Sequence, residues 1–166
     1  IVALGETGAR LGGGGRTGTY AWLDNALHEA QAYAAGRWSG EDAELTRADA
    51  AALGPVVSGK QALYVHVERA SDIRSTLALK REFPKLDLVL VGASEGWLVA
   101  NEIAAAGVPV IADGLDDLPA NFEELAATQS NIGRMGKAGV KVAVDGGGAK
   151  MQHVGASVRG LVRGRY

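Results

Sequence analysis

The chain has no cysteine. Disulfides, thiolate metal sites and a cysteine nucleophile are thereby excluded, and the redox character of its compartment stays open. It also lacks a surplus of either charge. Seventeen Lys and Arg stand against nineteen Asp and Glu, a net charge of -2, which argues against a general nucleic-acid binder. No apolar run approaches the roughly 18 residues that a membrane span needs. The opening Ile1-Val2-Ala3-Leu4-Gly5 has neither the basic start nor the long apolar stretch of a secretory signal. Location is left open between cytoplasm and periplasm. What is present fits one globular domain: 166 residues, 47% apolar and 22% charged. Glycine is the excess, at about twice its usual share, and it gathers toward the two ends.

Three segments follow from the patterning. Residues 1–18 form a Gly-rich lead-in, including Gly12-Gly13-Gly14-Gly15, with no readable strand. From Thr19, the residues Trp22, Leu23, Ala26, Leu27, Ala30 and Ala34 make one helical stripe that stops at Gly36. Thr46-Arg47-Ala48-Asp49 caps a short helix ending near Gly54-Pro55. A repeating unit then begins. Strands are expected at residues 62–67, 86–91, 108–112 and 140–144, with one helix capped near Ser71 or Asp72, a second running from Glu95 to Ala106 and a third capped at Asn121. Strand starts fall 24, 22 and 32 residues apart, the spacing of βα units in a parallel sheet. Near-continuous apolar strands imply burial on both faces. The fold class is therefore α/β, with parallel βα units over residues 19–144. Residues 145–166 are a Gly/Arg-rich tail with no apolar period.

Three stretches invite chemical readings. Gly54 to Gln61 nearly matches a phosphate loop, but Gln61 replaces the needed hydroxyl and a strand follows instead of a helix. Gly92-Ala93-Ser94-Glu95-Gly96 matches the nucleophile elbow G-x-S-x-G between a strand and a helix. Asp113, Asp116 or Asp117 and then His153 follow in the order of a serine triad. The plainer reading is a tight βα turn with Ser94 capping the helix. His66 is the strongest candidate. It ends the first strand of the repeat, on the side where ligands gather in parallel βα folds, and Asp113 and Asp145 end later strands. An imidazole and carboxylates on one rim suit a metal that lowers the pKa of bound water. A hydrogen-bonded core histidine and helix-capping aspartates satisfy the same spacing.

Leu63-Tyr-Val-His66-Val-Glu-Arg69-Ala70-Ser-Asp72-Ile73 resembles the fifth-strand region of the amidohydrolase superfamily, in its imidazolonepropionase-like and prolidase-like branch. Gly92 to Ala100 resembles the sixth-strand turn and helix, Gly107-Val-Pro109-Val-Ile the seventh strand, and Ala138 to Val144 the eighth. The resemblance covers residues 20–144. It implies the second half of a (β/α)8 TIM-type barrel, incomplete because such a barrel needs about 250 residues. It further implies hydrolysis of a C–N bond in a small molecule by metal-activated water, the metal being zinc. His66 falls at the fifth-strand ligand position and Asp145 near the eighth-strand aspartate, ligand and proton acceptor, whose expected slot holds Gly147. The sixth-strand histidine is replaced by Gly92, and the first-strand His-x-His pair is absent, since the histidines are His28, His66 and His153.

The expectation is thus a C-terminal fragment of a metal-dependent amidohydrolase, inactive alone, with a truncated or frame-altered end after Val144. A non-catalytic barrel relative or interaction module is the alternative, and a serine hydrolase using Ser94 the third. Expected partners are a small-molecule substrate and, through exposed barrel edges, a second copy. Neither nucleic acid nor membrane is expected.

Overall fold

The computed structural model describes residues 1–12, 14–113, 119 and 121–145. His153, Asp116, Asp117, Gly147 and the expected tail lie outside them. The described elements run β1 (Val2–Ala3), α1 (Gly5–Gly12), α2 (Arg16–Ala34), α3 (Arg47–Val57), β2 (Leu63–Val67), α4 (Ala70–Glu82), β3 (Leu88–Gly92), a 3-10 turn (Gly96–Val99), α5 (Ala100–Ala106), β4 (Val110–Asp113), α6 (Asn131–Lys137) and β5 (Val142–Asp145). The strands form one sheet in the order β1-β2-β3-β4-β5, every pair parallel. Each strand lies beside the next in sequence, which is the winding of a barrel wall. No described helix is long and apolar enough to cross a membrane.

The expected βα units are present, with shifts that have local causes. The α2 stripe buries Leu23, Ala26, Leu27 and Ala30, while Trp22 stays half exposed at the stripe's edge. Thr46 caps α3 by accepting the Asp49 amide at 3.2 Å. That helix continues past Pro55 to Val57, because a proline in the last turn removes only one helical bond and Val56 and Val57 are buried. Pro109 precedes β4, so its missing N–H falls outside the strand, and its carbonyl accepts the Leu90 amide at 3.0 Å.

Three expectations are corrected. The Gly-rich lead-in contributes a strand and a helix. β1 is two residues long, too short to show a period, and it joins the sheet through the Leu4 amide on the His66 carbonyl at 3.0 Å. Asn121 does not open a helix. Its side chain bonds Glu124 Oε1 at 2.7 Å and accepts the Glu123 amide at 2.8 Å, as a cap does. The following chain is instead tied inward, since Glu123 and Glu124 are buried and the Ala126 amide donates to Glu95 Oε1 at 3.2 Å. The sheet, finally, is buried on one face. Leu63, Val65, Val67, Leu88, Leu90, Val110 and Ala112 pack under the helices, against Ile73, Ile103 and Met135 among others. On the opposite face Val89, Val91 and Ile111 are half-buried and Tyr64 is exposed.

Glu95 fastens three parts of this layer. Its Oε2 accepts the Ala70 amide that begins α4, at 3.0 Å, and its Oε1 takes the Ala126 amide. A carboxylate thereby caps α4 from a distance, in place of Ser71 or Asp72. Glu95→Ala strands both amides and is expected to cost about 2–4 kcal/mol. Urea unfolding measures this; a loss under about 1 kcal/mol would mean that water replaces the carboxylate.

Candidate active site

The carboxyl ends of the strands carry an imidazole and a group of carboxylates. His66 is the penultimate residue of β2, and its side chain is 38% exposed on the open face of the sheet. It shares a row with Ala3 of β1, Val91 of β3, Ile111 of β4 and Ala143 of β5. Asp113 and Asp145 pair with each other two residues further along β4 and β5. The backbone thus brings all three candidates to one rim.

Glu68 is the residue that sequence analysis missed. His66 Nε2 lies 3.1 Å from Glu68 Oε1. The other carboxylate oxygen accepts both the Ser94 amide, at 2.9 Å, and the Ser94 hydroxyl, at 2.6 Å. Glu68 is 8% exposed, and these bonds are what make its burial tolerable. The signal was available. Residues 66 and 68 alternate to the same face of an extended chain, so an acid two positions after a strand-end histidine is placed to hold it.

A second buried acid repeats the device. Glu123 Oε1 accepts the Glu6 amide in the first turn of α1 at 2.7 Å, and Arg16 Nε lies 3.9 Å from it. Arg16 Nη2 also donates to both Asp72 carboxylate oxygens, at 2.6 and 2.7 Å, joining the starts of α2 and α4. Beside this group a cavity of about 440 Å³ is lined by Gly5, Arg16, Tyr20, Asp72 and Ser75 among others. In both places the acid fills room left by a glycine with positive φ. A Cβ on Gly5 (φ +70°) would stand 2.2 Å from Glu123 Oε1, and one on Gly92 (φ +88°) 2.1 Å from Glu68 Oε1. A side chain at the position that resembles the sixth-strand histidine ligand would therefore be strained and would have to displace Glu68.

The hydrogen bond to Glu68 raises the His66 pKa above its ordinary value. Burial opposes the rise, and the charges of Glu68, Glu123 and Glu124 add to it.

Ser94 is not a nucleophile here. It is 5% exposed, and its hydroxyl is held by a carboxylate, not by an imidazole. The order serine-glutamate-histidine puts a carboxylate, a weaker base than imidazole, on the hydroxyl proton, the reverse of a triad. Nor does Ser94 cap a helix, because the next turn starts after Glu95 without a side-chain cap. The Gly54–Gln61 stretch is the end of α3 and the turn into β2, so no helix receives a phosphate there.

This is the fold of part of a TIM-type barrel. The chain is similar in structure to an amidohydrolase from Thermotoga maritima, with a TM-score of 0.73 and 23% identity, over 86% of this chain. It spans 39% of that protein's length. No protein-family model and no curated protein matches the sequence.

Two measurements check the site. Gly92→Ala combines a left-handed backbone with a collision and is expected to lose more than about 2 kcal/mol. The loss should shrink in a Glu68→Ala background, and equal losses in both backgrounds would rule out the collision. In the second, Glu68→Gln is expected to move the His66 titration downward in histidine NMR of the metal-free chain. The sign follows from the raised folded value. The pair's contribution to stability is full below the ordinary imidazole pKa and is lost as pH rises through the folded one. An unmoved titration would remove Glu68 as its cause.

Proposed function

We propose that the chain is part of a metal-dependent amidohydrolase that hydrolyses an amide-like C–N bond in a non-peptide small molecule or small peptide. The observation that carries this is the His66 imidazole on the carboxyl-terminal rim, backed by Glu68 and ringed by acidic residues. In barrels of this kind chemistry is carried by strand ends. The likeness in fold to an amidohydrolase supports the same reading.

Zinc is the ion that a nitrogen and carboxylate donor set would take. His66 fits the part of one ligand. Ligand histidines keep their second ring nitrogen on a carboxylate, which fixes the tautomer, and Glu68 meets Nε2 in that way. Among the described residues this rim gathers no group of three ligand atoms. The remaining ligands would come from the part of the barrel that this chain does not span. A bound ion would supply a water of lowered pKa. His66 would hold the ion, Glu68 would orient His66, and Asp145 at the end of β5 would take the proton of the attacking water. Substrate would enter over the open face at the rim.

The test is a protein extended to the complete barrel, assayed with Zn²⁺ on small amides. His66→Ala should lower kcat/KM by about 100-fold or more, since disturbing even an outer partner of a metal ligand costs about 10–100-fold. The 166-residue chain alone should show no turnover with stoichiometric Zn²⁺. Turnover by it, or an unaffected His66→Ala enzyme, would overturn the proposal. A non-catalytic barrel relative is the second reading, and Gly92 in place of a histidine, with Glu68 in the room beside it, favours it. Under that reading the complete barrel is inert with every metal. In isolation, β1 and β5, the edge strands among the described residues, favour pairing with a second copy.

A further inference from the structure

A second group of metal-type donors lies away from the rim, on the outer helical layer. Asp24 and His28 are four residues apart on one face of α2, and Glu82 is the last residue of α4. One ligand atom from each lies within 4.8 Å of the other two, and His28 Nε2 is 2.7 Å from Glu82 Oε1. Two further observations mark the place. Asp24 Oδ1 is buried and has no hydrogen-bond partner among the described residues. A carboxylate oxygen out of water without a donor is costly, and a cation is one partner that meets it. The His28 ring also rests on buried Phe83, with centroids 4.8 Å apart, which fixes its plane with Nε2 toward Glu82.

We propose that Asp24, His28 and Glu82 form a divalent-cation site of the zinc class that pins α2 to the end of α4. One imidazole nitrogen and two carboxylates select a borderline ion such as zinc over magnesium or calcium, which favour all-oxygen sets. Tetrahedral ligands at about 2.0–2.1 Å from zinc stand roughly 3.4 Å apart. His28 Nε2 and Glu82 Oε1, now 2.7 Å apart, need to part by about 0.7 Å, and the Asp24 oxygen, within 4.8 Å of the other donors, to close by up to about 1.4 Å, which the exposed ends of His28 and Glu82 can accommodate. The ion takes the place of the hydrogen between His28 Nε2 and Glu82; a neutral ring then carries its proton on Nδ1, a protonated one releases the second proton to solvent, and the Asp24 carboxylate gains a cation partner. Water completes the coordination. The carboxylates of Asp24 and Glu82 also act on Tyr20, raising its pKa after the larger effect of burial, while Arg81 opposes them. The local field is therefore one that a cation relieves.

The probe is Zn²⁺ alone, titrated into the metal-free 166-residue chain by calorimetry and followed by histidine NMR. A His66→Gln background removes the rim imidazole, so the two sites are read separately. One equivalent should bind in that background, with the His28 resonances shifting. Asp24→Asn and Glu82→Gln, which keep side-chain shape, should each weaken uptake by more than about tenfold. His28→Gln supplies the same test should either variant fail to fold. Absence of saturable uptake, or uptake indifferent to all three changes, overturns the site. Uptake lost with His66→Gln but kept with His28→Gln also overturns it, and would assign the ion to the rim.

Discussion

Buried carboxylates that accept backbone amides hold the working end of this sheet together. Glu68 takes the Ser94 amide, Glu95 the amides of Ala70 and Ala126, and Glu123 the amide of Glu6. Each joins a strand end or its turn to a neighbouring unit. The helices and strands satisfy their own backbones, but the turns at the carboxyl rim cannot. Without these acids the amides there would be buried and unpaired. The rim is thus a network of short charge-assisted bonds laid over an apolar layer. That arrangement also explains why a glycine with positive φ faces Glu68 and another faces Glu123: the acid needs the room.

The same network sets what the rim can do. Glu68 divides its two oxygens between the Ser94 turn and the His66 ring, so the imidazole's orientation is tied to the shape of the β3 turn. Ordinarily a strand-end histidine is placed by its own strand alone. Here a change in the turn after β3 would be felt at His66, although the two lie on different strands. The carboxylates of Glu123 and Glu124 come from the segment between β4 and α6 and bring negative charge to the same ring. A catalytic or binding role for His66 would therefore depend on three separate units of the chain.

Much of the architecture was legible because it rests on periodicity. The runs Leu63 to Val67 and Leu88 to Val91 can bury one face only as strands, and the apolar stripe through Leu23, Leu27 and Ala30 suits only a helix. β1 was illegible, since two residues have no period and the glycines beside it weaken every local preference. Asn121 misled for a different reason. Its capping bonds form as the sequence suggests, but tertiary bonds to Glu95 and the burial of Glu123 and Glu124 draw the following chain inward. At the rim, His66, Asp113 and Asp145 could be placed from strand ends alone and Glu68 from its spacing to His66, whereas the part that Glu68 and Glu123 play in holding amides could not be recognised until their partners were located. Their role is defined by groups distant in sequence.

Strand order has a consequence for how the chain is built. From β2 to β5 every strand pairs with its nearest successor, so only one helical unit must form before each new strand can dock. Loop-closure entropy is then met in small, similar steps, and assembly can advance in the direction of synthesis. β1 is the exception. Three helices separate it from β2, and it offers two residues of ladder in return. The N-terminal segment should accordingly be the last part to settle and the first to open. It is the seam along which amide hydrogen exchange enters the sheet.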